Sequence, residues 1–215
     1  MFHNNVDHAI EIAAERLKTN PADPVVLSSL NLVASIQSAQ ALSMLLGIAK
    51  SSPNAKARRD AIYWLGQSRG NKDEIVDTLV GLLPSLAEDD SDAVAFALSQ
   101  VRSDKSLNAL STIARDKNKN EKVRKNALFW IAQSRSANRV ALLEDIYKNS
   151  MDNSRIRQQV MFALSQTRES QAVTILGNVA STDPDIEVRK QAVYWLGQNR
   201  SPEANQALEK LLQKK

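Results

Sequence analysis

The stretch VRKQAVYWLGQNR, residues 188–200, decides how this chain is read, because near-copies of it recur upstream. They are ARRDAIYWLGQSR (57–69), DSDAVAFALSQVR (90–102), VRKNALFWIAQSR (123–135) and IRQQVMFALSQTR (156–168). A glutamine holds the same place in each, at 67, 100, 133, 166 and 198, so the copies are spaced by 33, 33, 33 and 32 residues. Self-similarity at such a period marks an architecture of stacked supersecondary units.

Each unit carries two helical patterns. In the first, apolar residues stand ten, six, three and two positions before the glutamine: Val123, Ala127, Trp130 and Ile131, or Val188, Ala192, Trp195 and Leu196. Spacings of 4, 3 and 1 put them on one stripe of a helix. The second helix follows within a few residues, over 103–115, 136–148, 170–180 and 202–212, with apolar positions such as Leu107, Leu110 and Ala114, or Val140, Leu143 and Tyr147. Ser103, Ser136 and Ser201 stand where an N-cap should accept free N–H groups, and Pro184 and Pro202 suit a first helical position. Position −4 from the glutamine is always aromatic, while position −3 alternates Trp64, Ala97, Trp130, Ala163, Trp195. A ring meeting an alanine of the next unit would fill a stack without voids, so the tryptophans are expected in the core.

Upstream, helical patterns over 6–18, 24–36 and 39–50 bring the expected total to about 13 helices, with Gln37 heading a degenerate first repeat. The expected organisation is one domain over 1–215: a degenerate cap and first repeat over 1–52, then five regular repeats over 53–215. No segment alternates like a strand.

The two-helix unit and the pattern V-R-x-x-A-x-x-x-L-G resemble HEAT repeats, most nearly the bacterial HEAT-like repeats named after phycobilisome lyases. The likeness is carried by Val188, Arg189, Ala192, Leu196, Gly197 and Pro202 and their earlier counterparts, strongly over 53–215 and weakly over 23–50. It implies an all-α, right-handed HEAT-like superhelix, a solenoid of helical hairpins whose second helices line the concave side. Family modules usually carry Gly-Asp in the turn after the first helix; here the turn carries Arg in all five clear repeats.

Composition narrows the chemistry. With 28 Lys and Arg against 24 Asp and Glu, the net charge of +4 is well short of a nucleic-acid footprint. The absence of Cys excludes disulfides and thiolate metal sites. No apolar run reaches the roughly 18 residues a membrane span needs, and the first 25 residues lack a signal-peptide pattern. A cytoplasmic location is the default expectation, and a periplasmic one fits a trimmed domain. His3 and His8 lie five apart without a carboxylate at ligand spacing, and the His-Glu pairs of HEAT-like iron hydroxylases are missing. No cofactor is expected. Glu88, Asp89, Asp90 and Asp92 lack the spacing of a calcium loop and suit the start of the next helix, where its dipole favours negative charge.

Two arginine ladders run through the repeats: Arg69, Arg102, Arg135, Arg168 and Arg200 two residues past the glutamines, and Arg58, Arg124, Arg157 and Arg189 nine before them. Such rows can grip phosphates or acidic peptides, or they can cap helix carbonyls and bridge repeats. A residue repeated once per unit is what stacking requires, so the ladders are expected to be structural. The functional expectation is a non-enzymatic, monomeric scaffold that binds a protein or peptide on the second-helix face. Its candidate residues are Asn108, Ser111, Thr112, Arg115, Glu144, Lys148, Thr174 and Asn178. The alternative is a nucleic-acid-binding solenoid like the alkylated-base DNA glycosylases. Mixed charges on the second helices, Lys105, Arg115 and Arg139 among Asp104, Asp145 and Glu169, speak against it, and nucleic acid is not the expected partner.

Overall fold

A computed structural model describes residues 2–20, 23–36 and 38–213, apart from the side chains of 2–7, Leu17, Lys18, Ile36, Glu88 and Asp89. The sequence-based readings of His3, Gln37, Glu88 and Asp89 therefore lie outside the described residues. Every element is helical among those described, with no strand and no helix long and apolar enough to cross a membrane. The chain divides into two compact units, Met1–Ala109 and Leu110–Lys215.

In the first unit, α1 (Phe2–Thr19), α2 (Pro24–Ser28), α3 (Leu30–Ile36) and α4 (Ala39–Ser51) precede the regular repeats. Then come α5 (Ala55–Gln67), α6 (Lys72–Leu82), a 3-10 turn at Leu83–Ser85 and α7 (Glu88–Val101); α8 (Asp104–Arg115) runs on into the second unit. The helix expected over 24–36 is two, which makes fourteen described helices rather than about thirteen. Ser29 ends α2, its N–H returning to Val26 O at 3.0 Å and its hydroxyl donating to Val25 O at 2.8 Å. A serine that satisfies the backbone this way competes with helix continuation.

The second unit holds α9 (Glu121–Gln133), α10 (Arg139–Lys148), α11 (Ser154–Thr167), α12 (Ser170–Thr182), α13 (Ile186–Gln198) and α14 (Pro202–Gln213). Helices α9, α11 and α13 pack in succession as one layer, and α10, α12 and α14 as the other. Between the layers lie Val123, Leu128 and Ile131 of α9, Val140, Leu143 and Ile146 of α10, and Ile156, Val160 and Leu164 of α11, all at most 1% exposed. Burying each such side chain contributes about 1.5–3 kcal/mol.

In four of the five repeats the first helix starts at a cap thirteen residues before the glutamine; in the other, α7 starts after Ala87 with no side-chain cap. Asn54 accepts from Ala57 N at 3.2 Å, Asn120 from Val123 N at 2.8 Å, Asn153 from Ile156 N at 3.0 Å and Asp185 from Glu187 N at 2.8 Å. Each removes one orphan donor of a helix N-terminus. Of the serine caps expected on second helices, Ser103 accepts from Ser106 N at 3.1 Å and Ser201 from Ala204 N at 3.2 Å. Ser136 instead accepts from Asn138 N, and α10 begins only at Arg139. Pro202 is the first residue of α14, whereas Pro184 stands before the Asp185 cap, outside α13.

The tryptophans are not core residues. Trp64, Trp130 and Trp195 are half-buried, and the fully enclosed residues at that level are Ile62, Leu128 and Met161. Between repeats the rings meet one another: Tyr63 stacks on Phe96 with centroids 5.7 Å apart, and Trp195 lies 5.3 Å from Phe162. Ala97 and Ala163 are buried, but the rings form a half-exposed row along the first helices instead of filling the stack.

Candidate functional site

The two ladders have different fates. The arginines nine before each glutamine bend back onto the C-terminal end of the preceding second helix or the turn after it. Arg58 donates from Nη1 to Ser52 O at 2.9 Å, and Arg124 from Nε to Ala114 O at 2.9 Å. Arg157 donates to Ser150 O at 3.2 Å and Met151 O at 2.6 Å, and Arg189 to Asp183 O at 2.6 Å. A cation on the last carbonyls satisfies orphan acceptors and the negative end of the helix dipole together. Two of these arginines also cross to the next repeat, Arg58 to Asp90 at 2.7 Å and Arg157 to both oxygens of Asp183 at 3.0 and 3.1 Å.

Around Arg157 this becomes a closed network. Tyr147 donates its hydroxyl to Asp183 Oδ2 at 2.7 Å, and Asp183 also accepts from Asp185 N at 2.8 Å. Burial pushes the Asp183 carboxyl up, but hydrogen bonds from Arg157, Tyr147 and the Asp185 amide outweigh it and hold it below the ordinary carboxylate value. Burial and the bond to Asp183 push the Tyr147 phenol well above its usual value. The acidic run is likewise absorbed: Asp90, in the first turn of α7, is 1% exposed and held by Arg58 and Arg59.

The arginines two past each glutamine do none of this. Arg69, Arg102, Arg135, Arg168 and Arg200 are exposed, and among the described residues no hydrogen bond or ion pair holds their side chains. The expectation that this ladder is structural is corrected here. The helix ends it was expected to cap are closed by backbone: Ser68, Ser134 and Asn199 N–H return to Leu65, Ile131 and Leu196 O at 3.1–3.2 Å. In the alternate repeats α7 and α11 end on Arg102 and Arg168, with φ of 54° and 56°. Those are left-handed positions where glycine is the usual residue.

Among the described residues, a groove edged by this ladder lies in each unit. Between the ends of α5 and α7 lies a groove of about 410 Å³ lined by Gln67, Arg69, Lys72, Gln100 and Arg102. Between those of α11 and α13 lies one of about 700 Å³, with Gln166, Arg168, Glu169, Gln198, Arg200 and Glu203 on its walls. Between α9 and α11 the corresponding space is taken by Arg139. Its guanidinium donates to Glu169 Oε1 at 2.6 Å, to Thr167 O at 3.0 Å and to Ser134 O. Ala172 holds the equivalent position in the next repeat, one methyl where a guanidinium would be, and the cleft stays open.

Of the residues expected on the second-helix face, Asn108, Thr112, Lys148, Thr174 and Asn178 are exposed, and Arg115 and Glu144 are half-buried. Ser111 is 1% exposed and cannot meet a partner; its place on the helix turns it into the core, and the expectation is corrected. Arg115 is tied to Asp145 at 2.6 Å and Lys148 to Glu144 at 2.6 Å, so these charges meet each other first. Sequence reasoning missed Arg139, Lys72 and the Tyr147–Asp183–Arg157 network. The acid position had a signal, an Asp directly before Pro184. Arg139 had one in its place, six past the glutamine, where the other repeats carry Asp73, Ser106, Ala172 and Ala204.

Among the described residues no group of three or more His, Asp or Glu could hold a metal ion. His8 lies 3.6 Å from Glu11 on the exposed side of α1.

Residues 188–214, which carry α13 and α14, match the model of the PBS lyase HEAT-like repeat. The last repeat is therefore HEAT-like, and the all-α stack of hairpins is the HEAT-like fold that the recurring motif implied. No curated protein matches the chain. A solved structure of human deoxyhypusine hydroxylase in complex with glycerol aligns over 99% of this chain and 92% of its own, at 15% identity and a TM-score of 0.42. The expectation that the chain is not an enzyme does not stand beside that finding, since the aligned protein is one. At that identity and score the likeness carries none of the hydroxylase's chemistry to this chain.

Proposed function

We propose that the chain binds a protein or peptide segment along its second helices. The observation that carries this reading lies within the second unit. There α10, α12 and α14 bury one side, with Leu143, Leu176 and Ala204 inward, and leave Ala141, Thr174, Asn178, Gln206 and Lys210 exposed on the other. Side chains at matching steps of successive repeats need not be small or polar for the layers to pack, and these are. Such a row offers an elongated partner hydrogen-bonding groups and little bulk, and it lacks the apolar enclosure of a small-molecule site.

A variant carrying Thr174→Arg and Asn178→Arg tests the reading against a control carrying Arg155→Gln and Lys190→Gln on the first helices. Both should melt close to the parent, since exposed changes usually stay within about 0.5 kcal/mol. Material captured from a native extract by the parent and the control should be sensitive to protease, resist nuclease and be lost with the α12 variant. Release of the captured material by nuclease, or loss with the control alone, overturns the reading.

A further inference from the structure

We propose that the groove between the ends of α5 and α7 binds an acidic peptide segment, its carboxylates taken by Arg69, Lys72 and Arg102 and its backbone amides by Gln67 and Gln100. The inference rests on the reading above only for the partner being a polypeptide; the surface is a different one.

Three cations and no carboxylate line this groove of about 410 Å³. Among the described residues the two guanidiniums have no partner, and Lys72 reaches only the carbonyl of Arg102 at 3.4 Å, which leaves its charge uncompensated. Gln67 Nε2 donates to Gln100 Oε1 at 3.4 Å and Gln100 Nε2 to Ser99 Oγ at 3.0 Å, so Gln67 keeps its carbonyl oxygen, and each amide a second N–H, for a ligand. Arg102 stands at φ 54°, where a side chain is disfavoured and glycine would close the helix at least as well. Backbone held in a sparsely populated region is a pointer to function, and at this position what a glycine would lack is the guanidinium. The same pairing, Arg168 at φ 56° and Arg200 with Gln166 and Gln198, lines the groove of the second unit. There Glu169 is held by Arg139 at 2.6 Å, but Glu203 also stands on the wall, so that groove, unlike the first, carries a carboxylate against the ladder.

A guanidinium fork matches a carboxylate with two parallel hydrogen bonds, and a glutamine amide matches a peptide group in the same way. Packed helices lie about 8–10 Å apart, and an extended polyproline-type segment advances about 9 Å in three residues. Acidic side chains three apart in such a segment would meet successive arginines. A single nucleic-acid strand takes much of its affinity from bases stacked on aromatic rings, and no ring lines this groove.

The test uses fluorescence anisotropy with the full chain and a labelled proline-rich peptide bearing Glu at every third residue. The same peptide with Gln for Glu, and a labelled single-stranded oligonucleotide of equal charge, complete the set. The Glu peptide should bind, more weakly as salt rises, and the Gln peptide should not. A variant with Arg69→Gln and Arg102→Gly should melt no lower than the parent and bind the Glu peptide at least about tenfold more weakly, which is 1.4 kcal/mol. The Thr174→Arg, Asn178→Arg protein should bind this peptide as the parent does, so that failure here and failure of the second-helix reading stay separate. The proposal is overturned if the Glu peptide does not bind, if the groove variant binds it unchanged, if only the α12 variant loses it, or if the oligonucleotide binds more tightly.

Discussion

Replacing Asp183 with Ala is expected to destabilise the protein by about 3–5 kcal/mol, the usual cost of removing one partner from a buried ion pair. The Arg157 side chain is 3% accessible and that of Asp183 0%, so the orphaned guanidinium has no route to water. For a chain of this size the loss lowers the melting temperature by on the order of 10 °C. Tyr147→Phe removes one neutral donor from the same carboxylate and should cost only about 0.5–1.5 kcal/mol. The pH dependence has a fixed sign. The Asp183 carboxyl is held below its ordinary value of 3.8, so its contribution is present above pH 3.8 and is lost as pH falls through the folded value. The phenol of Tyr147 is raised above its ordinary 10.0, so its contribution is present below pH 10 and is lost as pH rises beyond it. Urea unfolding of parent and Asp183→Ala should show a constant gap between pH 5 and 9 that narrows below pH 3.8. A gap that persists at low pH would remove the ion pair from the account.

Two glycines in matching motifs should respond to alanine with opposite signs. Gly66 closes AIYWLGQ in α5, and a Cβ there would sit 2.7 Å from the Cα and carbonyl oxygen of Ala97 in α7. That is backbone, which cannot swing aside, so Gly66→Ala forces the two helices apart at about 1–3 kcal/mol. Gly197 closes AVYWLGQ in α13, and a Cβ there would meet nothing within 4 Å. Gly197→Ala therefore gains helix propensity without a clash, about 0.5–1 kcal/mol of stabilisation. Thermal unfolding of the two single variants decides it, and a destabilised Gly197→Ala would contradict the packing described.

This pair shows where sequence reading runs out. The period of the glutamines and the stripes beside them were enough to give the helices, their pairing and most of the core, because burial periodicity is a property of each helix alone. Whether a glycine is touched depends on whether another repeat packs over it, and motifs at 66 and 197 that differ in one residue carry no trace of that. The same limit governed the arginines. One ladder recurs in all five repeats and the other in four, with Ser91 in place of the fifth, yet only the one nine before the glutamine faces the end of the preceding helix. The other falls past a helix whose end the backbone has already closed. Ser111 was misplaced because one helical step separates the exposed Thr112 from the core, and periodicity fixes a helix face only to about that precision. The tryptophans were misplaced because large rings were read as filling, when the buried volume at that level is taken by Ile62, Leu128 and Met161.

One arginine ladder holds the repeats together, and the other stands exposed past the helix ends. Arg157 and Arg168 offer the most direct comparison, since both belong to the same first-helix motif, one in α11 and one as its C-cap. Melting temperatures of Arg157→Gln and Arg168→Gln, measured side by side at pH 7, test it. Arg157→Gln should melt lower by on the order of 10 °C, and Arg168→Gln should stay within about 2 °C of the parent. Equal losses in the two variants, or a parent-like Arg157→Gln, would contradict it.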